Sequence, residues 1–140
     1  MKNVIYTNSS DETARLGEKF SEKIKNGEII LLFGDLGAGK TTFVQGLAKG
    51  LGIKRRITSP TFIVIRSYNE EKFYHIDLYR IENEKDIEGL GIEEVLKDNK
   101  NIIAIEWPEK IKEIVPKKRI ELFFSYLNDQ KRRIEIKEYE

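Results

Sequence analysis

The chain has no cysteine, a single histidine, a single tryptophan, one methionine and only three prolines. Without cysteine there can be no disulfide, no thiolate nucleophile and no cysteine-ligated zinc. An excess of either charge is also missing. Lys and Arg number 25 and Asp and Glu 24, a formal charge of +1, which creates no general field to attract nucleic acid. Any RNA contact must be local or supplied by a partner. No apolar run approaches the length that crosses a membrane, and Met1 to Thr7 lacks the apolar stretch of a secretory signal. These absences fit a cytoplasmic protein without membrane contact. Internal repeats, low-complexity tracts and linkers are absent too, so residues 1–140 are expected to form a single domain with room for a sizeable core.

What is present is concentrated in Gly34-Asp35-Leu36-Gly37-Ala38-Gly39-Lys40-Thr41-Thr42. Gly34 to Thr41 match G-x-x-x-x-G-K-[ST], a phosphate-binding loop. Gly37 and Gly39 let the backbone bend so that successive N–H groups face phosphate oxygens. Lys40 brings a compact charge to the β- and γ-phosphates, and Thr41 offers a hydroxyl to Mg²⁺. Asp35 to Thr42 are therefore the candidate nucleotide-binding residues. The context agrees with the motif. Ile29 to Phe33 is an unbroken apolar run, as in a strand covered on both faces. Phe43, Val44, Leu47, Ala48 and Leu51 recur at helical spacing, with Gly52 as terminator.

Other elements follow from the same reading. Lys2 to Thr7 reads as a short strand. Ser9 and Glu12 form a capping box for a helix whose buried stripe is Leu16, Phe20 and Ile24, ending at Gly27. Ile63 to Tyr68 and Phe73 to Tyr79 form an antiparallel hairpin across Asn69 to Lys72. Glu84 to Leu96 is helical with interruptions at Gly89 and Gly91. Ile102 to Ile105 is a second buried strand ending at Glu106, and Pro108 opens a short helix that stops before Pro116. Ile120 to Leu127 and Ile134 to Tyr139 flank Asn128-Asp129-Gln130 as a last hairpin. The fold class is α/β and P-loop NTPase-like, a mostly parallel sheet flanked by helices with antiparallel hairpin additions.

A P-loop needs a carboxylate beside Mg²⁺, at the end of a neighbouring strand. Glu106 occupies that position. Asp77 is the second acid. Strand alternation puts His75, Asp77 and Tyr79 on one face, either a polar face near the γ-phosphate or a solvent face with Asp77 paired to Arg80 or another base. His75 lacks a metal-ligand companion and reads as structural or hydrogen-bonding. In Thr58-Ser59-Pro60-Thr61-Phe62, Ser59 or Thr61 could touch phosphate, Mg²⁺ or the attacking water, or could stabilise a loop locally. Trp107 defaults to packing. The basic triplets at 54–56, 117–119 and 131–133 read most simply as solvated surface, with contacts to RNA, nucleotide or an acidic partner surface as the alternatives.

The P-loop, Thr58 to Phe62, His75-Ile76-Asp77-Leu78-Tyr79-Arg80 and Glu106-Trp107-Pro108-Glu109, in that order in so short a chain, resemble one family. It is the bacterial tRNA threonylcarbamoyladenosine biosynthesis ATPase family, TsaE (also YjeE). The resemblance runs from the first helix to at least Pro116. It implies a cytoplasmic ATPase with weak intrinsic activity, working with TsaB and TsaD after TsaC has made threonylcarbamoyl-adenylate. The modified adenosine lies beside the anticodon of tRNAs reading codons that begin with A. Hydrolysis would reset the partner complex, and tRNA would be met through that complex. The resemblance further implies Lys40 as the phosphate lysine, with Thr41 and Glu106 as Mg²⁺ ligands. Asp77 becomes an acid near the metal or the partner, and Thr61 part of a switch-like loop. Trp107 gains interest beyond packing, and Ser9, Ser10 and Arg133 approach the adenine. Water attacking the γ-phosphate in line is the expected chemistry.

Rival readings are a small-molecule P-loop kinase, a GTPase and a nucleotide-dependent docking switch. Asp86-Ile87-Glu88-Gly89 spells D-x-x-G, but no buried strand leads into it and no N-K-x-D segment exists.

Overall fold

The computed structural model describes residues 2–54, 65–68, 70 and 72–140. Along the chain lie β1 (Lys2–Thr7), α1 (Ser10–Phe20), β2 (Ile29–Phe33), α2 (Lys40–Gly50), β3 (Ile65–Tyr68) and β4 (Phe73–Asp77). Then follow α3 (Glu84–Glu88), α4 (Ile92–Lys97), β5 (Ile102–Glu106), β6 (Arg119–Tyr126) and β7 (Arg132–Tyr139). The strands form one sheet in the order β1-β7-β6-β2-β5-β4-β3. Its centre is parallel: β2 pairs with β5 and β6, and β4 with β5. Its margins are antiparallel: β3 on β4, β7 on β6 and β1 on β7. This is the P-loop NTPase-like α/β architecture expected from the sequence, with the last hairpin in place and the first seen over Ile65–Tyr68 and Phe73–Asp77; its second strand stops two residues before Tyr79, and positions 63 and 64 lie outside the described residues.

β2 is apolar without alternation because both its faces are covered. Ile30 and Leu32 pack with Phe43, Val44 and Leu47 of α2 and with Leu122 and Phe124 of β6. Ile29 and Leu31 pack on the opposite face with Ile76, Ile103 and Ile105 and with Ile87, Ile92 and Leu96 of α3 and α4. Gly91, at φ +73°, separates those two short helices, as the interrupted periodicity implied.

The first helix departs from expectation at both ends. Ser9 caps it as foreseen, its Oγ accepting the Glu12 N–H at 3.1 Å. The Glu12 carboxylate, however, reaches back to the Asn8 N–H at 3.0 Å rather than to that of Ser9. At the other end the helix stops at Phe20 and tightens into a 3-10 turn over Ser21–Lys23. Ser21 Oγ donates to the Glu18 carbonyl at 2.5 Å there. Ile24 still packs on the core, but from extended backbone beyond the helix. Gly27 serves instead at the entry to β2, at φ +90°.

Glycines let α1 and α2 approach closely. A Cβ on Gly46 would collide with the Ala14 carbonyl oxygen, and one on Gly17 with that of Phe43. Two backbones therefore meet where side chains would normally stand between them. Among the described residues, no helix is long and apolar enough to cross a membrane.

Gly46→Ala tests this crossing. Helix propensity alone would stabilise α2 by about 1 kcal/mol. Collision with backbone should outweigh that and leave a net loss of about 1–3 kcal/mol, measured by urea unfolding. A stabilised variant would show that the two helices are not in such close contact in solution.

Candidate nucleotide site

The parallel strands β2, β4, β5 and β6 bring their carboxyl ends to one edge of the sheet, where open α/β sheets hold ligands. The P-loop follows β2, Asp77 ends β4, Glu106 ends β5 and Tyr126 ends β6. In register, Glu106 lies beside Asp77 on one side and Leu32 on the other. A cleft of about 550 Å³ opens there.

The loop has the backbone its glycines suggest. Gly34, Gly37 and Gly39 all have positive φ (145°, 81° and 104°). Gly34 lies against the Phe124 carbonyl, 2.7 Å from where its Cβ would be, so the loop could not leave β2 on this path with a side chain there. Gly39 leads directly into α2, whose first residues are Lys40 and Thr41. The amino end of an eleven-residue helix thus faces the cleft with its unsatisfied N–H groups and positive dipole end.

Lys40 is 3% exposed. Its Nζ donates to the Gly34 carbonyl at 2.5 Å and lies 3.7 Å from the centroid of the Trp107 ring. Burial lowers its pKa from the ordinary value, while Glu106, Glu109, Asp77 and Asp35 pull it back up. Trp107 is thus not simply packed. It sits in the left-handed region (φ 60°, ψ 48°), which a bulky side chain rarely adopts, and it lines the cleft beside Tyr79, 5.1 Å between ring centroids. Backbone held this way is costly and tends to occur at functional sites.

Glu106 is likewise 3% exposed. The Thr41 hydroxyl faces both its carboxylate oxygens at 3.1 Å. His75, fully buried, lies 2.6 Å from Oε2 through Nε2. The sequence pointed to hydrogen bonding for His75 without identifying the partner. Asp77 lines the cleft, and its Oδ1 accepts the Tyr79 N–H at 3.0 Å. Thr41 and Glu106 together offer hard oxygen donors that suit Mg²⁺, which commonly takes one or two protein oxygens and completes its shell with phosphate and water. No group of three or more His, Asp or Glu side chains gathers to hold a metal among the described residues.

Of the remaining sequence candidates, Asp35 is exposed at the loop's start. Leu36, Gly37, Gly39, Thr42 and Ser10 line the cleft, with Thr13 beside Ser10. Ala38 is buried in the core instead, its N–H bonded to the Asp35 carbonyl at 3.0 Å. Thr61 and the segment around it lie outside the described residues. Arg133 is not at the cleft. In β7 it shares a face with Glu135, 3.9 Å away, while alternation turns Arg132 inward. Arg132 is the residue missed from the sequence. It lies 4.3 Å from the Tyr126 ring, and it donates to the Asn128 carbonyl at 2.8 Å and the Gly37 carbonyl at 3.4 Å. Tyr126 donates to the Leu36 carbonyl at 3.2 Å. The tip of the last hairpin therefore braces the P-loop. The only signal was a basic triplet, and choosing between its two arginines required the strand register.

Comparison with known proteins places these features in a group. The family profile described as "Threonylcarbamoyl adenosine biosynthesis protein TsaE" matches residues 7–134. The protein named tRNA threonylcarbamoyladenosine biosynthesis protein TsaE from Bacillus subtilis is 38% identical over 130 residues, covering 91% of this chain and 80% of that one. Its namesake from Nostoc sp. is 41% identical over 137 residues, covering 94% and 83%. Among solved structures, the crystal structure of YdiB from Bacillus subtilis superposes with a TM-score of 0.85 at 31% identity, over 100% of this chain and 87% of that one.

The contact between Lys40 and Trp107 is open to a direct optical test, because Trp107 is the sole tryptophan. Lys40→Met should change the intensity of tryptophan emission in nucleotide-free protein while leaving far-UV circular dichroism unaltered. Unchanged emission would place the ammonium away from the ring.

Proposed function

Because the chain belongs to the TsaE family of threonylcarbamoyl adenosine biosynthesis proteins, we propose that it is an ATPase hydrolysing Mg²⁺-ATP to support threonylcarbamoyladenosine modification of tRNA. It acts in the cytoplasm with TsaB and TsaD and meets tRNA through that complex. The observation that carries the ATPase reading is the meeting of the Thr41 hydroxyl with the buried Glu106 carboxylate at the head of the P-loop helix.

Each side chain then has a task. The loop N–H groups and the amino end of α2 receive the phosphates. Lys40 exchanges the Gly34 carbonyl and the Trp107 face for β- and γ-phosphate oxygens. Thr41 and Glu106 would hold Mg²⁺, which when bound neutralises charge on the phosphates. Asp77, at the cleft wall beside Glu106, orients the attacking water. Ser10 at the start of α1 and Arg132 on the hairpin flank the nucleoside end, Arg132 taking the place first considered for Arg133. Pre-positioned charge and dipoles account for most of the acceleration in phosphoryl transfer, so a site without an evident strong base remains a competent one.

Phosphate release from Mg²⁺-ATP, by the purified chain and then with TsaB and TsaD added, tests the reading. Slow turnover that the partners stimulate is expected. Rapid turnover that ignores them, or none in either case, would overturn it. Lys40→Ala should lower turnover on the order of a hundredfold or more. Glu106→Ala should weaken Mg²⁺-dependent turnover more than it weakens binding of nucleotide alone.

A further inference from the structure

His75 is fully buried on β4, the strand that ends with Asp77 in register with Glu106. A buried imidazole in apolar surroundings is destabilising unless its polar atoms are bonded. Among the described residues one nitrogen is bonded and one is not. Nε2 lies 2.6 Å from Glu106 Oε2, the short separation of a charge-assisted bond. Nδ1 is buried without a hydrogen-bond partner among the described residues. Among the described residues the side chain therefore makes a single directed interaction, and it makes it with the carboxylate.

That carboxylate has two donors from two different elements. Thr41 Oγ1 approaches from α2 and His75 Nε2 from β4. Two donors converging on one carboxylate fix its plane as well as its position. Ala104, which pairs with His75 in the sheet, is the smallest side chain on its face of β5 and leaves room for the imidazole to reach diagonally to Glu106. A packing role alone would be met by an aliphatic or phenyl group, as at Phe73 two residues earlier on the same face.

The geometry points to His75 as the positioning residue of Glu106: its Nε2–H holds the carboxylate in the orientation that meets Thr41, so that cation binding at the P-loop is tuned from β4. The inference deepens the Mg²⁺-ATPase reading and rests on it. His75 acts through Glu106 and not on the nucleotide itself. Outer hydrogen bonds of this kind typically change metal affinity by about 10–100-fold when lost.

Because the chain has one histidine, long-range ¹H–¹⁵N correlation of the nucleotide-free wild-type protein reads its ring directly. A proton on Nε2 is expected, and an unprotonated Nε2 overturns the assignment. Calorimetric titration with ATP, with Mg²⁺ and with a chelator, supplies the second readout. His75→Ala should reduce the Mg²⁺-dependent gain in ATP affinity by about tenfold while leaving Mg²⁺-free affinity nearly unchanged. His75→Gln, whose amide N–H can replace Nε2–H, should restore most of the gain. If His75→Ala keeps the full gain, or weakens both affinities equally, the inference fails and the ATPase reading stands. If the wild-type protein shows no Mg²⁺-dependent gain, both fail together. Should the alanine variant not fold, the glutamine variant and the wild-type ring spectrum decide.

Discussion

The buried carboxylate of Glu106 constrains everything around the cleft. A charge removed from water costs several kcal/mol unless close partners compensate it. Glu106 has only 3% exposure at the end of a strand buried on both faces. Its compensation comes from three directions: the Thr41 hydroxyl, the His75 imidazole and the electrostatic pull of Lys40. Those groups belong to the first turn of α2 and to β4. The amino end of α2 cannot slide and β4 cannot shift register without leaving the carboxylate unsatisfied. The glycine crossing with α1 holds the same helix from behind, at Gly46. The phosphate loop is thus anchored through the helix it leads into as well as through the strand it leaves.

The hairpin of β6 and β7 contributes restraint of another kind. β6 continues the parallel set next to β2, so its end arrives at the cleft with Tyr126. The chain then turns and returns with Arg132 against that ring. Both side chains bond carbonyls of the loop, at Leu36 and Gly37. Gly37 has positive φ, and a Cβ there would run into the Tyr126 hydroxyl. Glycine is therefore needed at this position for its conformation, and a Cβ there would also push the Tyr126 ring off the loop.

Much of this was legible in the residues. The P-loop was read from the spacing of Gly34, Gly39, Lys40 and Thr41. β2 was legible because a strand covered on both faces does not alternate, and the face shared by His75 and Asp77 because β4 does. What escaped depends on contacts between segments distant in sequence. Nothing local distinguishes Arg132 from Arg133 until the pairing of β7 with β6 assigns each to a face. Nothing in Glu106-Trp107-Pro108 announces a left-handed tryptophan, because the ring is held by Lys40 and Tyr79 from elsewhere in the chain. The early end of α1 at Phe20 is the local exception, a bond from Ser21 to the Glu18 carbonyl that apolar periodicity does not register.

The sheet order also has a temporal meaning. β1 has β7 as its hydrogen-bonded neighbour, with Lys2 opposite Lys137 and Thr7 opposite Arg132. The earliest of the seven strands in chain order is thus paired with the latest of them. At roughly 5–20 residues per second, β1 with its Val4 and Ile5 must wait on the order of ten seconds after emerging before its partner is made. The parallel centre of the sheet gains its own last member, β6, only shortly before. A chain emerging from the ribosome can therefore assemble α1, α2 and β2 while β1 remains unpaired, and that margin closes only once β7 has emerged.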